Sequence, residues 1–163
     1  MELRRFWLHL NTPDKVSSRL FSPTVLDEIE RAVKAVEATH GGEICFAVES
    51  RMNLSQLWRD IKVRERAAEV FSNLRVWDTQ QNNGVLVYLL LAEQRIEILA
   101  DRGFREKVSD LEWASICSAM QQSFTASGFA EGVQLGIQLI SEQMRKHFPV
   151  PDGNELPNKP TVL

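Results

Sequence analysis

Residues 76–104 read VWDTQQNNGVLVYLLLAEQRIEILADRGF. The middle of this stretch decides the fold. Residues 85–91 are apolar at every position, which fits a strand buried on both faces at the centre of a sheet. Residues 92–95, Ala-Glu-Gln-Arg, are short and polar enough to be a tight connection, so residues 96–100 return as an antiparallel partner. Both ends of this hairpin are polar. Trp77, Asp78, Asn82 and Asn83 lead into the first strand, and Asp101 and Arg102 follow the second.

Upstream, residues 43–50 (EICFAVES) form another strand with two largely apolar faces. A helix over residues 54–74, in one piece or two, separates it from the strand at 85–91. A helical crossover of this kind makes the two strands parallel. Ser22-Pro23 opens an earlier helix, with Ser as N-cap and Pro at the first helical position. Its end is His40-Gly41-Gly42, where glycine accepts a left-handed cap. Ser109 and Glu112 form a capping-box pattern before another helix, and a last helix runs to Phe148. A short amphipathic helix or arm is expected over residues 2–10. A fourth strand has a candidate place at 19–21.

The expected fold is α/β: a three-layer αβα sandwich with a small mixed β-sheet flanked by helices. The expected organisation is an N-terminal helix or arm over 1–21, one αβα domain over 22–148, and a disordered Pro- and Asn-rich tail over 149–163.

Strand direction gathers the polar residues. With two parallel strands and an antiparallel third, the end of the third meets the starts of the first two. Asp101 and Arg102 then sit beside Asn82, Asn83 and Asp78, with His40 and Glu43 on the same rim. Asp78, Asp101 and Glu43 offer carboxylate oxygens to a hard cation, Ca²⁺ or Mg²⁺. Trp77, Asn82, Asn83, Arg102 and His40 are the accompanying ligand-binding candidates, Arg102 as a fork for phosphate or carboxylate. The same residues also read as loop chemistry: Asp and Asn capping turns, an exposed ion pair, a histidine capping a helix C-terminus, and Trp77 as a packing lid.

The remaining sequence narrows the function classes. The 163 residues suit one domain, and 44% hydrophobic residues suffice for a core. A net charge of −3 with dispersed Lys and Arg argues against a dedicated nucleic-acid binder. Cys45 and Cys117 lie in apolar runs and read as reduced core thiols. No stretch approaches the ~20 apolar residues of a spanning helix, and no signal peptide is evident, so a soluble, cytoplasmic protein is expected. No nucleotide, zinc-protease or serine-hydrolase motif is present, and no organic cofactor is expected.

Asn83-Gly84-Val85-Leu86, the apolar strand after it and the Ile-x-Ile strand running into Gly103 resemble the TPM domain family. That group includes the thylakoid-lumen acid-phosphatase-like proteins linked to photosystem II repair. Thr39-His40-Gly41-Gly42-Glu43-Ile44, the helix at 63–74 and GFAEGVQLGIQLI at 128–140 fit the same order. The resemblance covers roughly residues 22–148 and points to the short, soluble bacterial branch. It implies an αβα sandwich, divalent-cation binding in some members and weak phosphatase activity in the plant branch. The expected role is a cation-binding or protein-docking module with an unknown protein partner; the alternative is a weak metal-dependent phosphatase.

Overall fold

The computed structural model describes residues 3–163. In chain order these form α1 (Leu3–Asn11), α2 (Val16–Leu20), α3 (Pro23–Glu37), β1 (Glu43–Glu49), α4 (Leu54–Trp58) and α5 (Val63–Asn73). Then come β2 (Gly84–Leu90), β3 (Arg95–Ala100), a 3-10 turn (Arg102–Phe104), α6 (Asp110–Ala126), α7 (Phe129–His147) and β4 (Thr161–Val162). Glu2, the first residue of the expected N-terminal helix, lies outside the described residues.

Local chemistry sets the helix starts. The Ser22 hydroxyl accepts from Val25 N–H at 3.4 Å, with Pro23 at the first helical position. Asn53 with Gln56, and Ser109 with Glu112, form reciprocal capping boxes. The helical crossover is two pieces, because the chain turns at Asp60, whose φ is +53°.

The sheet order is β3-β2-β1-β4. β1 runs parallel to β2, pairing Glu43 with Gly84, and β2 runs antiparallel to β3, pairing Val85 with Ala100. Alternation then sorts side chains into two cores. Ile44, Phe46, Val48, Val85, Val87 and Leu89 face α3, α6 and α7. Cys45, Ala47, Leu86, Tyr88 and Leu90 face Leu57 of α4 and Val63, Ala67 and Val70 of α5. This is the expected three-layer sandwich.

Two expectations fail. Arg19 and Leu20 close α2, and the fourth strand is Thr161–Val162, parallel to β1. The segment after Phe148 is therefore not a disordered tail. Leu156 and Asn158 are buried, and Leu163 N–H donates to the Val48 carbonyl at 2.8 Å. Its Pro- and Asn-rich composition argued for disorder, yet a few anchoring side chains and backbone bonds hold it in place.

Candidate functional site

The rim at the start of β1 and β2 and the end of β3 has two halves. In the β2–β3 half, Asp101 N–H donates to the Gly84 carbonyl at 2.9 Å, and Gly103 N–H to the Asn82 carbonyl at 2.9 Å. The Asp101 carboxylate caps the 3-10 turn, with Oδ1 accepting from Arg102 N–H at 2.7 Å. Arg102 Nε donates to Asn82 Oδ1 at 2.7 Å, with Asn82 at a φ of +54°, a left-handed geometry that asparagine tolerates. Asp101, Arg102 and Asn82 are thus brought together as expected. A cavity of about 550 Å³ adjoins Asp101 and Arg102, shared with Arg64, Arg105 and Ser109.

In the β1–β2 half, Asn83 is fully buried. Its Nδ2 donates to the Gly41 carbonyl, its own carbonyl accepts from Glu43 N–H at 3.2 Å, and its N–H donates to Thr79 Oγ1 at 3.0 Å. His40 is also buried, with Nδ1 accepting from Gly42 N–H at 3.2 Å. Burial, reinforced by nearby Arg145, holds this imidazole below its ordinary range. The ring is a neutral cap of the turn after α3.

Asp78 and Trp77 stand apart from both halves. The Asp78 carboxylate turns to Arg75 at 2.6 Å and is half exposed. Trp77 is 47% exposed, with the Arg75 guanidinium 5.8 Å from its ring centre, so it is an exposed ring and not a lid.

The C-terminal segment closes the β1–β2 half. Gly41 N–H donates to the Phe148 carbonyl at 2.9 Å. Gln80 N–H donates to both Glu155 carboxylate oxygens, at 3.1 and 3.0 Å, and Gln81 Nε2 donates to Asp152 at 2.8 Å. Leu156 N–H donates to Glu43 Oε2 at 3.0 Å, and Asn158 Nδ2 donates to Glu37 Oε2. Glu37 Oε1 accepts from Ile44 N–H at 2.7 Å. The rim therefore grips a peptide through backbone and carboxylate groups at once.

Sequence reasoning missed Glu37, Asp152 and Glu155. Each looks like a solvated charge, and nothing local marks it as a rim residue. Burial pushes the Glu37 carboxyl up to about 8, and the neighbouring carboxylates Glu43 and Asp152 add to the effect. Glu43 shifts upward for the same leading reason, burial. A raised carboxyl stabilises the fold fully below the unfolded value near 4.5 and loses that contribution as pH rises through about 8. One group gives a slope of at most about 1.4 kcal/mol per pH unit, less here because Glu37 is only part-buried. Urea unfolding of wild type is expected to show stability falling across this window. Glu37→Gln should show a shallower fall, with Glu43 supplying the rest. Equal slopes would show that Glu37 carries no such proton.

Two rim oxygens, Asn83 Oδ1 and Asp101 Oδ2, are buried without a donor, and His40 Nε2–H is buried without an acceptor. Among the described residues, no group of three or more His, Cys, Asp or Glu side chains is placed to share a metal ion.

The model of the TPM domain matches residues 15–143. The chain belongs to the TPM domain family. The solution structure of the BA42 protein from the psychrophilic bacterium Bizionia argentinensis is similar over 87% of this chain and 94% of its own, with 30% identity and a TM-score of 0.75. The N-terminal domain of a protein from P. gingivalis shares the fold over 91% of this chain and 93% of its own, at 15% identity and a TM-score of 0.67. No curated protein matches the chain. The TPM match contains every rim residue from Glu37 to Arg102 and ends before the segment that closes the rim.

Proposed function

We propose that this TPM domain is a noncatalytic binding module that holds an extended, acidic peptide along its rim and the outer edge of β1. One observation carries the reading: the chain's own C-terminal segment is bound there in that manner. Gln80 N–H donates to Glu155, Glu43 accepts from Leu156 N–H, and β4 extends the sheet beside β1. Strand addition supplies backbone bonds whatever the sequence, while side-chain sites select it. A partner segment with an acid followed by leucine reproduces the contacts of Glu155 and Leu156.

The test uses the full chain. Glu155→Ala with Leu156→Ala weakens the docked segment without touching the rim. A labelled peptide of residues 150–163 should bind this variant at least about tenfold more tightly than wild type, since a competing tethered copy lowers apparent affinity. Equal or absent binding to both would remove the reading.

A second reading rests on the donor-less oxygens. Asp101 Oδ2 and Asn83 Oδ1 are hard ligands, and Mg²⁺ accepts one or two protein oxygens while keeping waters. Titration with Mg²⁺ and Ca²⁺ should shift amide signals of residues 77–84 and 101–104 in wild type. Asp101→Asn, which retains the Oδ1 cap, should weaken the response. Silent signals would eliminate cation binding and, with it, a metal-dependent phosphatase.

A further inference from the structure

At the opposite end of the sheet, α1 turns polar groups inward. Its inner face carries His9, which is 1% exposed, and the Arg5 side chain, 13% exposed, beside Phe6, which packs on the core. Arg5 donates to Glu93 at 2.7 Å, to the Ile61 carbonyl at 2.6 Å and to Asp60 at 3.3 Å. His9 Nδ1 accepts from Met52 N–H at 3.0 Å, which leaves Nε2 to donate to Glu93 at 2.8 Å. The polar side of the helix is thereby fixed to the domain. Leu3, Trp7 and Leu10, spaced i, i+4 and i+7, are left on the outside, Trp7 being 59% exposed.

A second exposed pair lies beside them. Leu54 and Trp58 occupy successive turns of α4, and Trp58 is 68% exposed. Leu10 and Leu54 line one cavity of about 510 Å³, while Arg5 reaches Ile61 just beyond the other end of α4. The end of α1 therefore lies near the start of α4, and both helices present exposed apolar residues at this end of the sheet, which together make up an apolar patch. Burial of this extent would normally be sought by two tryptophans and three leucines, since large contiguous apolar patches on a protein surface mark interaction sites.

We infer that this patch docks on an anionic lipid surface. Tryptophan favours the membrane interface, where its apolar body is buried and its N–H stays wet. The surrounding charge complements lipid phosphates. Arg4 and Arg59 are exposed and have no ion pair among the described residues, whereas the exposed Lys62 is paired with Asp60. Two carboxylates at this end are already engaged, Asp60 by Arg5 and Lys62, and Glu93 by Arg5 and His9. The whole chain carries −3, so the local cations orient this end toward the surface rather than attract the molecule as a whole. A second copy is a poorer occupant, because two-fold pairing of the patch would gather the exposed Arg4 and Arg59 of both copies in one interface. No helix of the described residues is long and apolar enough to cross a membrane, so the contact is superficial.

Co-sedimentation of the full chain tests this, using phosphatidylcholine vesicles with and without about 30% phosphatidylglycerol. Binding is expected to the anionic vesicles, weakened by salt. It should fall at least about tenfold in Trp7→Ser/Trp58→Ser, whose positions are solvent-exposed and whose fold circular dichroism checks. Arg59→Gln should weaken binding and flatten its salt dependence. No binding to anionic vesicles at low salt, or undiminished binding of the double variant, would overturn the inference. So would a concentration-dependent dimer that the same double substitution abolishes.

Discussion

Arg66→Met is expected to lower the unfolding free energy by about 3–5 kcal/mol, among the largest effects of any single substitution in this chain. Glu49, at the end of β1, has its side chain 9% exposed. Arg66 of α5 grips both of its oxygens, Nε at 2.9 Å and Nη2 at 3.0 Å, and the buried Tyr88 hydroxyl donates to the same carboxylate at 2.5 Å. Methionine retains most of the apolar stem but no charge. The carboxylate then stays buried with only the phenol to satisfy it, and an uncompensated buried charge costs more than the pair contributes. Chemical denaturation measures the loss. Arg66→Met with Glu49→Gln should recover at least half of it, because the second change removes the stranded charge. A double variant as unstable as the single one would place the cost in packing rather than electrostatics.

Gly84→Ala is the second. Gly84 opens β2 opposite Glu43 of β1 and accepts from Asp101 N–H, so all three strands of the rim meet at this residue. A β-carbon here would overlap the carbonyl oxygen of Val76, which is backbone and cannot swing aside. The expected destabilisation is about 3 kcal/mol, or a fall in melting temperature on the order of 10 °C. Amide shifts should concentrate at Val76, Asn83 and Asp101. A variant melting with wild type would mean that the loop at 76–83 yields freely, contrary to its close fit against β2.

These substitutions also show which parts of the molecule were legible in its sequence. The strands at 85–91 and 96–100 declared themselves through unbroken apolar runs around a short polar turn, and a helical crossover fixed β1 as parallel. From direction alone, Asp101, Arg102 and Asn82 became neighbours, and the structure pairs them. Asp78 broke away because Arg75, three residues earlier, holds its carboxylate locally. No tertiary pattern could have revealed that. The closing segment was hidden for a different reason. Its anchors, Glu155, Leu156 and Asn158, lie among prolines and polar residues with no periodicity, and their partners are more than 70 positions away. Helix α1 was legible as a short amphipathic helix but not in its orientation: Arg5 and His9 turn inward with Phe6, while Leu3, Trp7 and Leu10 stay exposed.

The rim was thus visible as a place before it was visible as an occupied surface. A binding surface already filled by its own chain must release that chain to take another. Native-state hydrogen exchange of the full protein reads this directly, residue by residue. The Leu156 and Leu163 amides, held by Glu43 and Val48, should be protected, yet exchange through a local opening much faster than the β2 amides of Leu86 and Tyr88. Exchange of the two tail amides at the rate of unstructured peptide would contradict docking, and exchange at the β2 rate would contradict release.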